Sequence, residues 1–241
     1  MPMLTALHGF IENDLVWRDF IAGAVPVRTP LLPGHGGKPC PPETTLASVA
    51  ADIAKGMADG DDLLGYSLGG RVALQLALDH PRKVRRLVLI SAGPGLATEQ
   101  ERKERIARDE RLSQVLEEDG IGPFVAWWEA NPVLKPAKPL SRKIEESLRC
   151  MRLNQDPLPL ASVMRTLSQG RMDVLMERLP NLTVPVLLIT GATDRIYSAR
   201  LTEMSKRIPN ATLRLIPDAG HAVHRERPDA LHATVVEFLR A

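Results

Sequence analysis

At 241 residues, with 44% hydrophobic and 25% charged residues, the chain has the composition of an ordinary globular protein and can bury a full sheet between two helical layers. A net charge of +2 creates no global attraction for nucleic acid or a membrane surface, so any anion binding must come from local placement of arginines. No apolar run approaches a membrane span and the N-terminus lacks a signal-peptide layout; Cys40 and Cys150 have neither metal-ligand spacing nor a disulfide framework, and a cytoplasmic location is expected.

Met3 to Leu7 reads as a buried strand running straight into His8-Gly9-Phe10, so the chain starts almost inside its core, at a central strand. Val25 to Thr29 is a second strand, closed by Pro30 and followed by the turn-rich Leu32-Pro33-Gly34-His35-Gly36-Gly37. Helical spacing of Leu46, Val49, Ala50, Ile53, Ala54 and Met57 predicts a helix from Thr45 to Met57, capped by Thr44 or Thr45. Asp62 to Gly65 is the next strand, Arg71 to Asp79 a helix stopped by Pro81, and Val84 to Ser91 a strand whose β-branched and leucine run marks burial on both faces.

After Ser91 the text turns helical and charged, with breaks at Gly120, Pro132, Pro136, Pro139, Pro157 and Pro159. Such an insertion in a strand–helix alternation is expected to form a lid over the carboxyl edge of the sheet. The alternation resumes with the strand Val184 to Thr190, the helix Ala199 to Arg207, the strand Thr212 to Ile216 and the helix Pro228 to Leu239. The expected architecture is α/β: a core from 1–96 and 179–241 with a mostly parallel sheet of about six strands, and a helical lid over 97–178.

Gly65-Tyr66-Ser67-Leu68-Gly69 lies between a strand and a strong helix, the pattern of a nucleophile elbow. A serine on so sharp a turn is pushed into the open, and the helix start behind it offers free N–H groups to an oxyanion. Asp194 and His221 each follow a resumed strand, giving the order nucleophile, acid, base; the imidazole would take the serine proton and the carboxylate would fix the tautomer. His224 is the rival base, and Asp173 and Asp218 are rival acids; His221 and Asp194 are favoured because they leave strands at the right place. The backbone N–H groups of Phe10 and Leu68 are the expected oxyanion donors. His8 and His35 read as hydrogen-bonded scaffolding.

Together, Leu7-His8-Gly9-Phe10, Leu32-Pro33-Gly34-His35-Gly36, the elbow through Arg71, and Ala219-Gly220-His221 continuing to Pro228 resemble the α/β-hydrolase superfamily along nearly the whole chain. Arg71 after the elbow, Pro94-Gly95-Leu96 with Glu104-Arg105, Trp128 four residues before Pro132, and Leu148-Arg149 narrow the resemblance to the 2-succinyl-6-hydroxy-2,4-cyclohexadiene-1-carboxylate synthases of menaquinone biosynthesis. One departure is plain: that family usually has further strands before His-Gly-Phe, so a sheet trimmed at one edge is expected. The resemblance implies an α/β-hydrolase fold, a pyruvate-eliminating lyase with no metal or organic cofactor, a small polycarboxylate substrate, and substrate contacts from Tyr66, Arg71, Arg105, Trp128 and Arg149. A serine hydrolase of a small acidic ester or thioester is the alternative that the triad alone leaves open. The segment 97–178 holds ten arginines against four lysines, which suits carboxylates better than neutral esters, although most of these arginines should simply face solvent. Trp128 is read as pocket wall, with core packing beside Trp127 as its alternative.

Overall fold

The computed structural model describes residues 2–18 and 25–241. Six strands form one sheet: β1 (Leu4–Leu7), β2 (Val27–Arg28), β3 (Asp61–Tyr66), β4 (Val84–Ile90), β5 (Val186–Gly191) and β6 (Ala211–Ile216), in the spatial order β2-β1-β3-β4-β5-β6. Every neighbouring pair is parallel. The chain therefore enters at an interior strand, with the short β2 outside it.

Successive residues of a central strand point to opposite faces, and the core divides accordingly. Leu63, Leu87, Leu89 and Leu188 join one apolar cluster, with residues of α2 (Leu46–Lys55), α3 (Leu68–Asp79) and α8 (Arg195–Arg207). Leu64, Val88, Ile90, Leu187 and Ile189 join the other, under Trp17 of α1 (Leu15–Arg18) and Leu231, Val235 and Leu239 of α10 (Pro228–Arg240). Burial on both faces explains why Leu87–Ile90 of β4 and Val186–Ile189 of β5 read as unbroken apolar runs.

Between β4 and β5 lie α4 (Glu99–Glu118), α5 (Ile121–Ala130), α6 (Arg142–Leu153) and α7 (Pro157–Thr166), with no strand among the described residues. Thr98 opens α4 with a reciprocal capping box to Glu101, while Asp156 and Pro157 open α7. These helices have an apolar cluster of their own, Leu112, Leu116, Phe124, Val125, Leu160 and Met164, into which Ile11 from the loop after β1 inserts. That side chain fastens the helical segment to the carboxyl edge of the sheet. Among the described residues no helix is long and apolar enough to cross a membrane.

Boundaries shift where tertiary contacts extend an element. Helix α8 begins four residues before the expected Ala199, because Asp194 caps it by accepting the Tyr197 N–H at 3.0 Å. Helix α3 begins directly after the elbow serine. The short helices α1 and α9 (Val223–Glu226) lack a periodic pattern long enough to show in the sequence.

Candidate active site

Ser67 stands between β3 and α3 at φ 50° and ψ −108°, a conformation that costs a non-glycine residue free energy and survives because its neighbours fix it. Gly65 and Gly69 make the turn sterically feasible. A Cβ on Gly65 would lie 2.3 Å from the Gly69 carbonyl oxygen, and one on Gly69 would lie 2.5 Å from the oxygens of Leu7 and His8. The Gly69 N–H donates to the His8 carbonyl at 3.1 Å, joining the elbow to the loop that carries Phe10.

The His221 Nδ1–H donates to Asp194 Oδ2 at 2.9 Å, and its Nε2 faces Ser67 Oγ at 3.3 Å. These three residues, 27 and 154 positions apart along the pairs, thus form one hydrogen-bonded line at the carboxyl edge. The rivals lie elsewhere. Asp218 pairs with Lys138 at 2.8 Å on the surface, Asp173 is exposed, and His224 turns away to Glu12 at 3.0 Å.

His8 and His35 shape the oxyanion loop. His8 donates from Nδ1 to the Gly9 carbonyl and accepts the Leu32 N–H; His35 donates to the Pro33 carbonyl and accepts the Ile11 N–H at 3.0 Å. Both need the neutral ring, and burial lowers the pKa of each, to about 3 for His35. The His35 bond holds Ile11 at φ 58°, an unusual backbone for a β-branched residue, one position after Phe10. Neither the Phe10 nor the Leu68 N–H bonds to an acceptor among the described residues.

Two residues of the scaffold escaped sequence reading. Glu12 is buried; it accepts the Gly9 N–H at 3.1 Å and the His224 Nε2–H at 3.0 Å, with Arg225 at 3.4 Å. Burial opposes its charge, yet His224 and Arg225 hold the carboxyl well below the usual carboxylate range, and burial lowers the pKa of His224. Ser91, expected as the end of β4, instead leaves the strand at φ 48° and donates its hydroxyl to the His221 carbonyl at 2.8 Å. Glu12 had no periodicity to expose it, being 212 positions from His224; Ser91 had none either, because its partner is a backbone atom of another loop.

Two cavities meet at Phe10, Ser67, Trp128, Leu134 and His221. The larger, about 620 Å³, extends past Tyr66 between α6 and the loops after β1 and β6, and Arg149 is in its wall. The smaller, about 200 Å³, extends past Leu68 toward α4 and α8 and contains Arg71 and Arg105. Arg71 is buried and donates to the Leu167 carbonyl at 2.8 Å; burial, reinforced by Arg105, lowers its pKa to about 10, still charged at neutral pH. Arg105 donates from Nε to Asp109 and from Nη1 to Gln169, both at 2.8 Å. Arg149 pairs with Glu129 and is half exposed. Trp128 stacks on Phe124 at 5.9 Å and packs against Phe10 at 5.2 Å, so it is both pocket wall and part of an aromatic cluster. Burial raises the Tyr66 pKa, keeping the phenol protonated. Among the described residues no group of three His, Cys, Asp or Glu side chains is placed to hold a metal ion.

Residues 6–234 match the alpha/beta hydrolase family. A 2-succinyl-6-hydroxy-2,4-cyclohexadiene-1-carboxylate synthase of Serratia proteamaculans (strain 568) is 30% identical, over 99% of this chain and 93% of its own. A Bacillus subtilis (strain 168) protein provisionally given the same name is 34% identical over 98% of this chain and 89% of its own. The chain belongs to this synthase family within the alpha/beta hydrolases. The structure of MenH from S. aureus superposes on it with a TM-score of 0.94 at 30% identity, covering 99% of this chain and 93% of that one. That structure thus shares the whole fold, including the helical segment over the sheet edge.

Proposed function

We propose that the chain is a carbon–oxygen lyase that eliminates pyruvate from 2-succinyl-5-enolpyruvyl-6-hydroxy-3-cyclohexene-1-carboxylate, giving 2-succinyl-6-hydroxy-2,4-cyclohexadiene-1-carboxylate. Ser67, its proton drawn toward His221 and the imidazole oriented by Asp194, removes the ring proton beside the succinyl ketone. The electron pair moves onto the ketone oxygen, which the Phe10 and Leu68 N–H groups receive as an enolate. Collapse of the enolate forms the second ring double bond and breaks the bond to the enolpyruvyl oxygen; that fragment leaves and, with a proton, becomes pyruvate. No step draws on a cofactor.

The observation that carries this reading is the composition of the smaller cavity, where Ser67 and His221 share a wall with the buried guanidinium of Arg71. A neutral ester gains nothing from such a charge, whereas a carboxylate losing its water needs it. Arg71 and Arg105 serve carboxylates from this side, and Arg149 from the larger cavity, where it must share its fork with Glu129. Tyr66 and Trp128 supply the apolar wall, and α4 to α7 act as a lid that keeps water from the enolate.

The test is turnover of the enolpyruvyl substrate beside a panel of short neutral and acidic esters. Pyruvate release, with kcat/KM far above that for any ester, is the expected outcome. Ester cleavage with no pyruvate release would replace the lyase by a hydrolase.

A further inference from the structure

Helix α8 presents three side chains at successive three-residue spacings, Asp194 at its cap, then Tyr197 and Arg200. That spacing keeps them close to one face of the helix. Asp194 holds His221, and the Tyr197 ring packs against the His221 ring at 4.8 Å. The third member lies 5.6 Å from the Tyr197 ring centre in a cation–π contact and lines the smaller cavity beside Ser67 and Arg71.

Arg200 is half-buried and pairs with no carboxylate among the described residues. Glu101, whose carboxylate senses the Arg200 charge, is already bound to the Thr98 N–H and hydroxyl at 3.0 and 2.9 Å. Arg108, at the exposed rim of the same cavity, lies over the Trp127 ring at 5.5 Å. An unneutralised guanidinium held over an aromatic ring, in a cavity that already contains the buried charge of Arg71, is a donor prepared for an anion.

We propose that Arg200 is a specificity-determining residue that binds a substrate carboxylate in the smaller cavity, together with Arg71. This rests on the lyase reading for the identity of the substrate, although the carboxylate position itself needs only the geometry.

Succinate, a short dicarboxylate, serves as the probe, with succinamide as its neutral counterpart. Calorimetric titration of the full chain is expected to show succinate binding, weakened roughly tenfold in Arg200→Ala and partly restored in Arg200→Lys, with no comparable effect on succinamide. In turnover, Arg200→Ala should raise KM by a similar factor and leave kcat nearly unchanged, since a carboxylate distant in the substrate from the bonds that change is held alike in ground and transition states. The melting temperature should move little, because the buried apolar anchors of α8 are Leu201 and Met204, whereas Arg200 is half-buried and pairs with no carboxylate among the described residues. Equal succinate affinity in wild type and Arg200→Ala, or no succinate binding at all, would overturn the proposal. Arg200-dependent succinate binding in a protein that releases no pyruvate would instead retain the carboxylate position and remove the lyase reading.

Discussion

The two cavities that meet at Ser67 hold four arginines each, and they use them in opposite ways. In the larger one Arg142 pairs with Glu146, Arg149 and Arg152 with Glu129, and Arg225 with Glu12. In the smaller one, among the described residues, only Arg105 has a carboxylate, Asp109; Arg71 rests on a carbonyl, and Arg108 and Arg200 lie against aromatic rings. Counting arginines therefore says little about where an anion binds. A guanidinium already paired must exchange one carboxylate for another, with little net gain, whereas an unpaired one gives its whole interaction to the ligand. The larger cavity has its arginines already paired, and the smaller one keeps unpaired charge for a ligand.

The largest expected effect falls on the wall common to both cavities. Ser67→Ala and His221→Ala should each lower kcat/KM by about 10³-fold or more, with the double variant little worse than either, because the pair acts as a unit. Additive losses measured in the double variant would show that they work separately. The contrast between the cavities is sharpest next. Glu12→Ala leaves the Gly9 N–H, His224 and Arg225 without their acceptor, and should cost about 3–5 kcal/mol of folding stability, read by urea unfolding. Arg71→Ala should instead cost about 2–4 kcal/mol of transition-state binding, and Arg71→Lys much of that, since lysine keeps the charge and loses the fork. If Glu12→Ala unfolds no more readily than wild type, or Arg71→Lys keeps full kcat/KM, the division between structural and binding charges is wrong.

Acid should act on the scaffold they share. The folded-state pKa of His35 is depressed to about 3, so the unfolded chain takes up a proton that the native protein refuses. The stability it contributes is present above pH 6.5 and is lost as pH falls toward 3, amounting to about 2 kcal/mol at pH 5. His8 and His224, whose pKa values are also lowered by burial, shift stability in the same direction. Unfolding at pH 7.5 and pH 5 measures the slope, and His35→Gln should flatten it. The smallest effect belongs to Arg149→Ala. Half exposed and bound to Glu129, Arg149 should contribute less than about 1 kcal/mol to kcat/KM, so a loss as large as that of Arg71 would show that pairing with Glu129 does not limit what it gives the substrate.

Much of this architecture is legible in the sequence, for identifiable physical reasons. A strand segment buried on both faces must be apolar throughout, so Leu87–Ile90 of β4 and Val186–Ile189 of β5 announce themselves; a turn with no room for a Cβ must use glycine, so the elbow does too. Ser67, Asp194 and His221 follow from their places directly after strands, because a parallel sheet delivers every such loop to one edge. The six-strand count and the entry at an interior strand come from the same alternation.

Tertiary structure alone decided which charges are free. Ten arginines between 97 and 178 look alike in the text, and pairing sorts them across elements: Arg149 and Arg152 on α6 meet Glu129 on α5, and Arg165 on α7 meets Glu110 and Glu117 on α4. Glu12 and His224 meet across 212 positions, and Arg200 reaches Ser67's cavity from a helix outside that segment. Local periodicity encodes which face of an element is buried, since burial of apolar area is additive along the chain. Charge compensation depends on the separation of two groups in space, and no pattern within either element records it.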